Sequence, residues 1–138
     1  MGRPQTLTRE WLEQHHVVDV SKDGIVTMKS KRGELYTVNP VTTVRKSRYG
    51  EKRYHLIGIY STEERERQKV AYKESGTWAC GVRFFALSRI IWAWHHGECP
   101  ANMDIDHINN DSLDDRLENY QLLTRAENLA KRRGHMNQ

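Results

Sequence analysis

Cysteine is nearly absent from this chain of 138 residues: Cys80 and Cys99 are the only two. They lie 19 positions apart and neither sits in a C-x-x-C pair, so no four-ligand zinc pattern can be drawn. Both read as reduced thiols. Long apolar runs are missing too, and nothing approaches the roughly 18 residues that a membrane span needs. The opening stretch MGRPQTLTREW has no apolar core of the kind a signal peptide carries. Internal repeats and low-complexity tracts are also lacking. These absences predict a soluble, cytoplasmic protein with no membrane partner. Its length suits one domain or two small subdomains and a core that needs no disulfide staples.

What is present is charge, unevenly spread. The net charge is +4 and the pI about 9.2, which favours a polyanionic partner. Residues 27–54 hold eight cations (Lys29, Lys31, Arg32, Arg45, Lys46, Arg48, Lys52, Arg53) against Glu34 and Glu51. Residues 101–119 reverse this, with six acids against Arg116. One part can track phosphates while the other holds a cation. A solvated surface with uneven charge is the alternative.

Local patterns divide the chain further. Residues 6–16 read as a short helix. From 17 to 60 the sequence is β-branched and punctuated by Asp23-Gly24, Asn39-Pro40 and Tyr49-Gly50, which predicts three or four antiparallel strands. Residues 61–74 permit an exposed connector helix, with Ser61 and Glu64 as a capping box. Residues 84–96 (FFALSRIIWAWHH) form an apolar helix whose Leu87, Ile90, Ile91 and Trp94 face the core, with His95 and His96 at its end before Gly97. Strands follow at 103–107 and 120–123 around an acidic loop. Thr124 with Glu127 then caps a last helix running to about Arg133. Strand, loop, strand and helix make a ββα unit.

Chemistry concentrates in that unit. Asp106 brings a hard carboxylate oxygen suited to Mg²⁺-like ions, and His107 beside it is of the type that serves as general base near neutral pH. Asn119 and Asn128 follow, the latter in the first turn of the final helix, where its amide oxygen is a second hard donor. Successive strand residues point to opposite faces. Asp106 and His107 therefore share one site only if the strand end is irregular or the substrate lies across it.

The text LSRIIWAWHHGECP, DIDHINND and DDRLENYQLLTRAEN, from Leu87 onward, resembles the HNH (ββα-metal) homing endonucleases of phage type over about 45 residues. The resemblance implies that Asp106 and Asn128 hold one divalent metal, Mg²⁺ with Mn²⁺ also supporting activity. It implies that His107 activates water, and that the Asn119 side-chain oxygen orients the His107 ring. The family commonly has His at the position of Ser88, Asn-Asn at Asp114-Asp115 and Leu at Tyr120. These departures leave the four site residues intact. Asp115 is either an added metal contact or a solvated loop acid. More loosely, VSKDGIVT in the N-terminal 60 residues resembles the β-rich modules that precede HNH cores.

The resulting expectation is an α+β protein. An N-terminal basic β-rich module with its connector (residues 1–76) docks on double-stranded DNA, and a C-terminal HNH core (77–138) cuts it. Arg45, Lys46, Arg48, Lys52 and Arg53 of the β module, with Arg125, Lys131, Arg132 and Arg133 of the last helix, are the expected phosphate contacts. The activity implied is metal-dependent hydrolysis of DNA phosphodiesters, as a phage homing or mobile endonuclease in the host cytoplasm. The alternatives are a nuclease that trims phage DNA during packaging, one of low specificity, or a DNA-binding protein with a vestigial core. Target site, nicking against double-strand cutting, and monomer against dimer stay open.

Overall fold

The computed structural model describes residues 6–48, 50–75 and 81–132. Cys80 and Arg133 lie outside them, as does the side chain of Arg132. The first elements are β1 (Leu7–Thr8) and α1 (Arg9–Gln14), the latter capped by the Thr8 hydroxyl, which accepts from the Trp11 amide at 3.0 Å. The expected helix therefore begins with a strand step. β1 pairs with β8 (Glu98–Cys99), matching Leu7 to Cys99, so the start of the chain is tied into the C-terminal half.

The β-branched region yields five strands, more than the three or four expected, divided between two sheets. β2 (Val17–Val20), β3 (Val26–Lys29) and β4 (Leu35–Val38) form one antiparallel sheet. The Asp23-Gly24 turn joins its first two strands, with Gly24 at φ +94°. Glycine fits there for a second reason: a Cβ would meet Leu87 at 3.2 Å and the Asp115 carbonyl at 3.3 Å. β5 (Val41–Ser47) and β6 (Gly50–Tyr60) form a long hairpin, and β7 (Val82–Ala86) adds to the far side of β6. Strands from both sides of the expected boundary at 76/77 thus share one sheet. α2 (Thr62–Ser75) leaves from β6, its Glu64 amide bonded to the Ser61 hydroxyl as the capping pattern predicts.

Phe84, Phe85 and Ala86 were expected to open the apolar helix, and they belong to β7 instead. The free edge of β6 offers them a ladder, and phenylalanine suits a pleated surface. The helix proper, α3 (Leu87–His96), is the hub of the core. Ile90 and Ile91 are fully buried, and Leu87 and Trp94 nearly so, as their spacing predicts. They pack with Leu12 of α1, Val17 and Val20 of β2, Val26 of β3 and Ile57 and Ile59 of β6. At the helix end the His95 Nε2 lies 2.8 Å from the Val20 carbonyl, and His96 stacks on Trp92. Cys99 is buried and unpaired, and burial pushes its thiol pKa up, as suits an inert reduced thiol.

The last part is a ββα unit. β9 (Met103–His107) pairs in regular antiparallel register with β10 (Tyr120–Thr124), and α4 (Arg125–Arg132) packs on both. The Thr124 and Glu127 capping box closes reciprocally. The Glu127 carboxylate accepts from the Thr124 amide at 2.9 Å, and the Thr124 hydroxyl accepts from the Glu127 amide at 3.1 Å. No helix among the described residues is long and apolar enough to cross a membrane.

Candidate active site

Regular pairing through His107 sends the side chains of β9 to alternate faces. Asp104 and Asp106 project to one, Ile105 and His107 to the other. Asp106 and His107 are both buried, each about 8% exposed. They nonetheless border the same cleft of about 700 Å³, whose opposite wall is the β5–β6 hairpin with Arg45, Arg48, Lys52 and Arg53. The strand end is regular, so the shared site exists because the cleft runs across it.

On the Asp106 side, Asp104, Asp106 and Asn128 border a smaller cavity of about 220 Å³ together with Arg45 and Lys52. Asn128 enters from the first turn of α4 and donates its Nδ2 to Asp104 Oδ2 at 3.0 Å. Among the described residues the Asn128 Oδ1 takes no hydrogen bond. Asp106 Oδ2 accepts from Gln121 Nε2 at 2.8 Å and from Lys131 Nζ at 2.5 Å, and its Oδ1 takes no hydrogen bond from the described residues. Two hard oxygens, one anionic and one from an amide, are therefore unengaged beside one small cavity. That donor set is of the kind that would hold a divalent ion. Among the described residues no three His, Cys, Asp or Glu side chains gather into a ready-made cage.

Lys131 departs from expectation. Instead of reaching outward to a DNA phosphate it is buried, its ammonium on Asp106 and within 3.3 Å of the His107 carbonyl and 3.4 Å of the Ile108 carbonyl. Its place three residues after Asn128 puts it on the same face of α4, turned to β9. Arg125, at the start of α4, is exposed.

On the His107 side the expected partner is replaced by another. Asn119 does not touch the ring. Its Oδ1 accepts from the Asn109 amide at 3.1 Å, and its Nδ2 donates to Asn109 Oδ1 at 2.9 Å and the Asp114 carbonyl at 3.0 Å. It pins the loop between β9 and β10, where Asn110 adopts φ +64° in the turn after His107. The His107 Nε2 instead lies 3.1 Å from Asp115 Oδ1. Asp115 is not the solvated loop acid that its position in the sequence suggests. It is buried, and three groups converge on its carboxylate: His107, the Tyr120 hydroxyl at 2.6 Å and His55 Nδ1 at 2.7 Å. Burial acts to raise the Asp115 pKa, but the hydrogen bonds from His107, Tyr120 and His55 outweigh it and hold the carboxyl below the usual carboxylate range. Tyr120 is pushed well above the usual phenol range, by burial first and then by Asp115, and so remains a donor.

Asp115 and Tyr120 are two of the positions where the chain departs from the HNH pattern, and the structure joins them. That coincidence was the available signal. His55 had none, because it belongs to a strand 60 positions from Asp115.

Residues 85–130 match the family model described as HNH endonuclease. Over this stretch the chain is similar to HNH endonucleases. The stretch runs from the last residues of β7 into α4 and contains Asp106, His107, Asp115, Asn119 and Asn128. Among solved structures, the chain is similar to that of DNA binding and cleavage by the HNH homing endonuclease I-HmuI. The TM-score is 0.52 at 19% identity, over 97% of this chain and 62% of that one. The chain thus spans less than two thirds of that protein, and the likeness is one of fold, in which the β-rich part and the HNH segment are superposed together. No curated protein matches the chain.

Proposed function

We propose that the protein is a metal-dependent endonuclease that hydrolyses DNA phosphodiester bonds in the cleft between β9 and the β5–β6 hairpin. The observation that carries this reading is the pairing, across one cleft, of Asp106 and His107 from the HNH segment with a wall of exposed cations. Arg45, Arg48, Lys52 and Arg53 of the hairpin draw in the phosphate backbone and set its register, and Arg125 extends the basic surface. Lys46 lies beyond that wall and pairs loosely with Glu51 at 3.9 Å. His107 takes the proton from the attacking water as general base.

Asp106 and Asn128 would hold one divalent ion, Mg²⁺ in the cell with Mn²⁺ as a working substitute. Such an ion would stabilise charge developing on the scissile phosphate and the leaving 3′ oxygen. Asn119 supports the catalytic loop. Double-stranded DNA is the partner, and a homing or mobile endonuclease of a phage is the setting. One catalytic unit makes one cut, so a lone chain nicks.

The test is conversion of supercoiled plasmid to the nicked form with Mg²⁺, with and without EDTA, for wild type and His107→Ala. Cleavage that needs the metal and falls about 10²–10⁴-fold in the variant, with DNA binding retained, is the expected result. Full activity in EDTA removes the metal from the mechanism. Binding without cleavage by the wild type under any divalent ion makes the protein a DNA-binding module. Sequencing the cleaved ends of genomic DNA tests the setting: a recurrent site supports homing, and scattered ends refute it.

A further inference from the structure

We propose that Asp115 is the positioning residue for His107, and that the N-terminal hairpin holds it in place through His55, so that the nuclease site is completed from outside the HNH segment. The inference rests on His107 acting as general base.

A neutral imidazole has one donor nitrogen and one acceptor. The group facing Nε2 is a carboxylate, which can only accept, so the proton sits on Nε2. The lone pair is then on Nδ1, which makes no hydrogen bond among the described residues and is the nitrogen left to take a proton from water. A donor facing Nε2 would impose the opposite tautomer. Tyr120 restricts the ring as well as the carboxylate. Its own ring meets that of His107 edge-to-face, at 5.2 Å and 85°, while its hydroxyl donates to the same Asp115 oxygen that His107 uses.

The second Asp115 oxygen is taken by His55 of β6 at 2.7 Å. Nearby, the Ser112 hydroxyl donates to the Arg53 carbonyl of the same strand. The catalytic loop is thus fastened to the hairpin at two points, Arg53 and His55. Lys52 and Arg53 of that strand line the cleft beside Asp106 and His107. The strand that grips phosphate and the strand that orients the base are one strand. Asn119, whose three side-chain bonds all go to Asn109 and Asp114, supports the loop without reaching the ring.

The experiment uses the full chain and four variants: Asp115→Ala, Asp115→Asn, His55→Ala and His107→Ala. Single-turnover plasmid nicking is measured with Mg²⁺, duplex binding with Ca²⁺ in its place, and melting temperature alongside. Side-chain ¹⁵N NMR at about pH 8, well above the usual imidazole pKa of about 6.5, reads the His107 tautomer. Asp115→Ala is expected to slow cleavage about 10–10²-fold, as loss of an orienting partner does, with the binding constant within about twofold. Asp115→Asn keeps an acceptor oxygen and recovers part of the rate. His55→Ala slows cleavage less than Asp115→Ala does. The wild-type ring carries its proton on Nε2, and the alanine variant at 115 shows a mixture.

Wild-type rates in the Asp115 variants, or an unchanged tautomer with rate and binding falling together, overturn the proposal. Should Asp115→Ala not fold, Asp115→Asn and His55→Ala decide it by the same criteria. A fully active His107→Ala would instead overturn the functional reading beneath it, whereas an inactive His107→Ala beside wild-type Asp115 variants defeats this inference alone.

Discussion

Removing Arg45 and Lys52 together is the sharpest probe of how the hairpin meets DNA. The two are cross-strand partners in the β5–β6 ladder, and both line the larger cleft and the cavity beside Asp106 and Asn128. If each neutralises one phosphate, each contributes about −0.9 to the slope of log K against log salt on duplex DNA. The Arg45→Ala/Lys52→Ala variant should therefore bind with a slope shallower by about 1.8. Over a fourfold rise in salt, from 50 to 200 mM, wild type should lose about twelvefold more affinity than the variant, since four raised to that slope difference is about 12. Lys46→Ala is the control: Lys46 is 80% exposed, leans on Glu51 and lies outside the cleft, so its slope should stay close to wild type. Fluorescence anisotropy on a labelled duplex, with Ca²⁺ replacing Mg²⁺, gives all three slopes. Parallel lines for wild type and the double variant would refute the placement of DNA in this cleft. A Lys46→Ala slope flattened by about 0.9, as much per residue as in the double variant, would show that the hairpin is read by charge alone.

Other perturbations test the fold and the site electrostatics. Ile90→Ala empties a fully buried position at the centre of α3 and should cost about 2–5 kcal/mol, seen as a lower denaturant midpoint at unchanged m; a loss under about 1 kcal/mol would contradict the central role of that helix. Asp106→Ala leaves the Lys131 ammonium buried without its partner and should cost about 3–5 kcal/mol, while Asp106→Ala/Lys131→Met regains most of it; equal stability of the two variants would mean that Lys131 escapes to solvent. Asp115 has a folded pKa below its unfolded value of 3.8, so its contribution is present above that value and fades as pH falls through the folded pKa. Asp115→Asn should therefore lose less stability than wild type below about pH 4, and superimposable acid limbs in pH-dependent thermal unfolding would refute the depression.

Much of the backbone was legible because its signals are local. A Thr and a Glu three apart satisfy each other's amides whatever lies around them, so the start of α4 could be read from Thr124 and Glu127. An Asp-Gly turn and a helical spacing of Leu87, Ile90, Ile91 and Trp94 are equally self-contained. The HNH text from Leu87 onward placed Asp106, His107 and Asn128 on the ββα unit, where their side chains do border the cavities. Where local preference was weak, tertiary pairing decided: Phe84 to Ala86 extend the run of α3 on paper, but the edge of β6 recruits them as a strand.

The electrostatic wiring of the site belongs to the tertiary structure. Whether Asp115 is a wet loop acid or a buried anchor depends on where His55 arrives from another strand, and nothing at either position announces the other. Lys131 reads as one more basic residue in a basic tail, yet α4 lies on β9 so that its ammonium is sealed against Asp106. Residue type determined that the chain holds a carboxylate, a base and cations enough to meet phosphate. Which carboxylate faces which base was decided by burial, because a charge removed from water must find its partner in space, and distance along the chain does not say who that partner is.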